Sequence, residues 1–378
     1  MKKIKNVISF VENLLGELRK LFVNTLTVLF LMLITFGFLS SLGGSLFDSD
    51  KVETEDQVLY LEPKGVIVDK AILTNDPFEE FEIFESSINQ IELESFLKII
   101  KTAGTDDDLK AIYLDVDGLG AYYTSALKIA DALYEARENG KEIIAFTSGL
   151  GTTGYLMASQ ATEIILEKDT YEPVLPFGFS RVRLYQKDFF ENIKVNMNVY
   201  AAGDFKSGPE GYTRNDMSET DKLAWLEFVT PIWEKYKSKM ETGRSFESGR
   251  IQYIGDNYPL LASENGGDNN ETALSTGLVD KLMSEQETRN YLVEKYGSEE
   301  KYERPPGISG REYLSTLKDE NISGKQKRVQ EKNKIAIIHV EGAIVTGDIG
   351  FNTAGSGGIV KKINKARDDE NVKGIVLR

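Results

Sequence analysis

The stretch Ala201–Ser218, AAGDFKSGPEGYTRNDMS, holds a candidate reactive side chain inside a segment that reads as a shaped loop. The run Val195–Ala201 before it reads as a strand. Gly203, Gly208, Pro209 and Gly211 then break any regular element, and Ser218 with Asp221 reads as the capping box of the next helix. Lys206 therefore falls in a turn ahead of a helix. An amine serves as a base near neutral pH only if burial or a cationic neighbour lowers its pKa by a few units from about 10.4. The residues alone leave Lys206 open between that role and a solvated lysine.

Working outward, Arg181–Lys194 reads as a helix with Leu184, Phe190 and Ile193 turned inward. The helix from Ser218 to about Gly243 carries Leu226, Val229, Trp233, Tyr236 and Met240 at helical spacing, with Pro231 as a kink; such a stripe is core or subunit contact. Asn265–Asn270 is a loop. Further upstream, Thr124 or Ser125 opens a helix with Leu127, Ala130, Leu133, Tyr134 and Ala136 on one face, Gly140 ends it, and Glu142–Phe146 is the next strand. Gly149–Gly154 then forms a GxGxxG pattern. The helical run after it, Tyr155–Ala161, is too short for a dinucleotide crossover before the strand Thr162–Leu166, so Thr152 reads as a helix N-cap. Asp106–Asp108 reads as a solvated turn, and Asp115 and Asp117 sit unassigned at a strand end.

Two segments share one shape. QVLYLEPKGVIVD (Gln57–Asp69) and KIAIIHVEGAIVTG (Lys334–Gly347) each read as strand, glycine turn, strand. Setting Gly65 on Gly342 aligns Val66–Val68 with Ala343–Val345. Further on, Phe96–Ile100 matches Ile359–Ile363, and Leu109–Leu114 matches Val372–Leu377. The ordered pair of matches signals a duplicated domain.

Residues 1–20 carry a basic excess, and Leu21–Phe47 has no charge. About 20 such residues span a bilayer. The organisation expected is a cytoplasmic segment 1–20, a transmembrane anchor 21–43, and an acidic linker 44–56 leading outward. A first domain 57–303, a Gly-, Pro- and charge-rich linker 304–333 and the opening of a second domain 334–378 follow. The net charge of -15 gives no nucleic-acid footprint. With no cysteine and one histidine, His339 in an apolar strand, thiolate zinc, cysteine nucleophiles and disulfides are excluded, and no cofactor or metal is expected.

The Phe205–Ser207 core, the Pro209–Glu210 that follows, and Arg214–Ser218 ahead of a Trp-bearing helix resemble the catalytic-lysine segment of the long-form signal peptide peptidase A family. The resemblance implies an α/β fold: crotonase/Clp-like ββα superhelix domains, tandemly duplicated, here with the second copy truncated, behind one transmembrane helix. Thr276–Asp280 resembles the family's closing strand, with a C-terminal helix to follow. The resemblance implies a membrane-bound serine endopeptidase with a Ser/Lys dyad, in which Lys206 is the general base. Aligned on Gly154–Tyr155, the family's serine position is Thr152, so the first domain resembles a copy lacking the nucleophile, which would lie beyond Arg378. Released signal peptides as substrates, the membrane as partner, a homo-oligomer (a family tetramer), and a bacterial inner-membrane location with the domains outside the cytoplasm are further implications. The chain is expected to be part of a longer product and inactive alone. Two other classes stand beside this one: a non-catalytic, membrane-anchored crotonase-like scaffold, and an acyl-CoA-handling crotonase enzyme.

Overall fold

The structure, a computed structural model, describes residues 16, 19–20, 22–32, 57–70, 89–298, 304–323, 333–348 and 353–378, in two units, Met1–Glu53 and Thr54–Arg378. In the first unit, α1 (residues 22–32) is a helix with exposed side chains. Among the described residues no helix is long and apolar enough to cross a membrane. Residues 21 and 33–43 of the expected anchor lie outside the described residues.

The second unit is built by repeating one order: a long strand, a short strand, a helix. β1 (Gln57–Leu61) is followed by β2 (Gly65–Val68), β3 (Gln90–Glu92) and α2 (Leu93–Ala103); β4 (Leu109–Asp115) by β5 (Leu119–Ala121) and α3 (Tyr123–Glu138); β6 (Glu142–Thr147) by β7 (Leu150–Gly151) and α4 (Thr152–Ala158). Then come β8 (Glu163–Glu167), β9 (Val174–Leu175), α5 (Lys187–Asn192), α6 (Glu210–Thr213), α7 (Glu219–Gly243), α8 (Arg250–Glu264), α9 (Asn269–Ser275), β10 (Lys281–Met283), α10 (Glu285–Tyr296), β11 (Gly307–Ser309) and α11 (Gly310–Ser323). The long strands form a six-stranded parallel sheet in the order β10-β8-β6-β4-β1-β11.

A parallel sheet covered on both faces needs strands that are apolar at nearly every position, and the sequences LKAIYLD, EIIAFT and EIILE meet that demand. On one face Leu59, Ile112, Ile143 and Ile164 pack with α2, α3 and α4; on the other Tyr60, Tyr113, Phe146 and Ile165 pack with Leu292 of α10. Alanines at 126, 130, 132 and 136 let α3 lie close to its neighbours, and a Cβ on Gly104 would come 2.6 Å from that of Ala136. Gly140, at φ 93°, ends the α3 segment in the left-handed conformation expected of it.

The last segment consists of β12 (Lys334–Ile338), β13 (Ala343–Val345), β14 (Thr353–Gly355), α12 (Ser356–Asp368) and β15 (Val372–Leu377). Its ladders repeat those of the first. Gln57 faces Leu109 and, after a one-residue irregularity, Val58 faces Ala111; Lys334 faces Val372 and, after the same irregularity, Ile335 faces Gly374. Val66 faces Gln90, and Ala343 faces Thr353. Arg378, at the end of β15, reaches Asp69 at 3.2 Å and Glu94 at 3.5 Å.

Several local expectations change. Only Lys187–Asn192 of the expected 181–194 helix is helical, and Leu184 and Ile193 are 71% and 51% exposed rather than inward. Val195–Ala201 forms no strand. Apolar spacing misled here, because those side chains face outward and have no ladder to join. The closing strand falls at Lys281–Met283, after Thr276–Asp280. Residues 304–333, read as a linker, hold β11, which pairs with β1, and α11, whose Tyr313 is buried in the core. The Pro and Gly residues there shape the entry to an edge strand, so the first domain runs on past residue 303.

Candidate active site

Lys206 lies in a loop with almost no regular structure, and its side chain is exposed. Gly203, at φ 95°, provides the turn before it. After it, the chain is fixed by polar contacts. The Ser207 hydroxyl donates to Asp221 Oδ1 at 2.7 Å, and Arg183 Nη2 donates to the carbonyls of Ser207 and Gly208, each at 2.6 Å. Arg183 Nη1 also reaches Asp221 Oδ2 at 3.3 Å, and Arg181 pairs with the same oxygen. Asp221 itself is 3% exposed.

This cluster exists because of how α7 begins. The Ser218 hydroxyl accepts from the Asp221 amide at 3.1 Å, the N-cap expected from the sequence. The other half of the expected box differs: Glu210, on α6, accepts from the Ser218 amide at 3.2 Å and from its hydroxyl, which frees the Asp221 carboxylate to turn toward Ser207 and the two arginines. Burial works against the Asp221 charge, but the Ser207 hydroxyl and the guanidiniums outweigh it and hold the acid below the usual carboxylate range. Helix α7 then carries the cluster into the core through Tyr236 and Met240, both fully buried.

The glycine-rich turn lies at the strand ends. Helix α4 has seven residues, with Gly151 as its N-cap. Thr152 is the first helical residue, and its hydroxyl donates to the Gly178 carbonyl at 2.8 Å, so it anchors a loop and caps nothing. Asp117 accepts from the Thr147 hydroxyl at 2.6 Å and the Ser148 amide at 2.8 Å, tying the β4 and β6 exits together. Asp115 accepts from the Asp117 amide at 2.9 Å; burial raises its pKa above the ordinary carboxylate value, opposed by that amide. The acids at 115 and 117 are thus turn-formers, and Asp106 accepts from the Tyr313 hydroxyl at 2.7 Å. Arg181, Arg183, Ser207 and Asp221 were not singled out by sequence as a cluster. Only the Ser218–Asp221 spacing pointed to one of them, and it pointed to a cap.

An α/β domain with a lysine-bearing arm is the class of protein these elements define, and the comparisons with known proteins specify it further. Peptidase family S49 matches residues 135–297, a span that contains Lys206 and Asp221. Protease 4 of Salmonella typhi is 29% identical over 374 residues, covering 96% of this chain and 57% of that protein. Protease 4 of Haemophilus influenzae is 26% identical and covers 98% of this chain and 59% of its own length. The chloroplastic serine protease SPPA of Arabidopsis thaliana is 22% identical over 78% of this chain and 41% of its own. Among solved structures, one described as an enoyl-coA hydratase from Mycobacterium avium paratuberculosis K-10 covers 57% of this chain and 85% of its own at 10% identity, with a TM-score of 0.17. Over residues 135–297 the chain is thus similar to peptidase family S49, and the relatives it resembles along most of its length are named as proteases. It spans rather more than half the length of the two bacterial relatives.

Proposed function

We propose that the intact protein is a membrane-anchored serine endopeptidase that cleaves released signal peptides and similar apolar segments by a Ser/Lys dyad. The observation that carries this reading is the lysine on a braced arm, inside the span matched by the peptidase family. Lys206 takes the proton of a serine hydroxyl as that oxygen attacks the peptide carbonyl, and backbone amides receive the developing oxyanion. The serine and those amides belong to a second domain of the same crotonase/Clp-like type, opening at Lys334. The common ladder register of the two segments, including the irregularity after Gln57 and after Lys334, supports that duplication.

The amino-terminal apolar run 21–43 anchors the protein in the bacterial inner membrane, with the domains outside the cytoplasm. The protein is a homo-oligomer. Leu184, Ile193, Val199, Tyr200 and Phe205 leave apolar surface uncovered along the lysine arm, which a second copy would bury.

The test is to incubate the full-length gene product with an apolar peptide of signal-sequence composition and then with a fluorophosphonate. Cleavage, with the label on one serine beyond Arg378, is expected. Absence of cleavage, or a label on a residue before Arg378, would overturn the proposal.

A further inference from the structure

We infer that Asp221 is a positioning residue for the proposed base, holding the Lys206 turn in place through Ser207; this rests on the reading of Lys206 given above. Residues 195–206 are exposed throughout, so apolar packing does not fix the height or direction of the lysine. A base contributes only if its nitrogen is held in a productive geometry, and a displacement of about 1 Å can cost 10²-fold in rate. Directly after Lys206 the turn is gripped by side chains. There the Ser207 hydroxyl and the Ser207 and Gly208 carbonyls are held by Asp221 and Arg183, and Arg181 completes the cluster.

The location of the acid points the same way. Asp221 sits in the first turn of a 25-residue helix whose far end is buried in the core, whereas Lys206 stands in solvent one residue from its grip. A buried carboxylate between two guanidiniums is a poor device for stability, since apolar replacements often do as well, but it fixes geometry because its partners can bond in few ways. The direct route from the rigid helix to the lysine is Asp221 to Ser207 to the peptide unit that follows Lys206.

The experiment uses the full-length gene product and measures kcat and KM separately on one apolar peptide, with active sites titrated so that unfolded protein does not count. Asp221→Asn should lower kcat about 10²-fold with KM changed less than about twofold. Ser207→Ala leaves the Asp221–arginine pairs intact and should lower kcat in the same way. Ser207→Thr, which keeps the hydroxyl, should restore most of it. The double variant Asp221→Asn/Ser207→Ala should be no worse than Asp221→Asn alone, as expected for two parts of one linkage. If Asp221→Asn does not fold, Ser207→Ala against Ser207→Thr decides alone. Retention of kcat within about twofold in Ser207→Ala, in a protein that Lys206→Ala inactivates, would overturn the positioning role and leave the base assignment standing. Activity in Lys206→Ala would instead remove the base assignment and this inference with it.

Discussion

The hydroxyl of Ser207 donates to Asp221 at 2.7 Å, joining an exposed turn to the first turn of a core helix. Asp221 is nearly buried and charged at the root of a solvated loop, so its surroundings set both its own ionisation and the loop's order.

That relationship has a consequence for stability against pH. Asp221 is depressed in the folded state relative to about 3.9 in an unfolded chain, so on acidification the unfolded state takes the proton first. Its contribution is complete above the unfolded value and is lost as pH falls through the folded one. Asp221→Asn should cost about 3 kcal/mol at neutral pH, because it leaves two guanidiniums without their carboxylate. It should also flatten the fall in stability below about pH 4. Urea midpoints at a series of pH values check both effects.

Asp115 has the opposite sign. Burial raises its folded pKa above the unfolded value, so the group favours the fold at low pH and that advantage is lost as pH rises through the folded pKa. Asp115→Asn should therefore stabilise at pH 7 by less than about 1 kcal/mol, with the gain vanishing below about pH 4. Thermal melts at pH 7 and pH 3.5 test this directly.

Arg244 holds the end of the sheet. Its guanidinium donates to Asp280 at 2.6 and 2.8 Å and to the Gly277 carbonyl at 2.9 Å, and Asp280 in turn accepts from the Ile164 amide at 2.8 Å. Arg244 is 9% exposed and Asp280 35%, so solvent screens part of the pairing. Arg244→Ala is expected to cost about 2 kcal/mol, less than breaking a fully buried pair. The urea midpoint should fall with no change in the slope of the transition.

Gly104 marks where α2 and α3 touch. A methyl group there would lie 2.6 Å from the Ala136 Cβ and 2.8 Å from its Cα, a contact that only backbone movement can relieve. Gly104→Ala should destabilise by about 1–3 kcal/mol. Pairing it with Ala136→Gly should recover part of that loss, which a double-mutant cycle of melting measurements would show.

The sheet was legible because a strand buried on both faces has to be apolar almost throughout. Leu109–Leu114 and Glu142–Phe146 could be read from that alone. The helix from Ser218 was legible because a cap and a stripe through Tyr236 and Met240 agree. The arm was not. Leu184 and Ile193 have the spacing of inward residues, but in this chain they face solvent, and spacing cannot say which side of a segment has a partner. The edge strand Gly307–Ser309 was hidden inside a stretch whose Pro and Gly content reads as linker. Lys206 was singled out by resemblance, and the cluster that follows it by structure: Arg181 and Arg183 lie 40 and 38 residues before Asp221, and nothing short of the folded loop brings them to it.

The most direct test of the account is kcat/KM for an apolar peptide with the full-length gene product, comparing Lys206→Ala with Lys222→Ala, an exposed lysine on the neighbouring helix. The account predicts a loss of at least about 10³-fold for Lys206→Ala, as for removal of a general base, and near-normal turnover for Lys222→Ala. A Lys206→Ala protein that turns over within about tenfold of the unaltered one, on the usual scale of such losses, would contradict it.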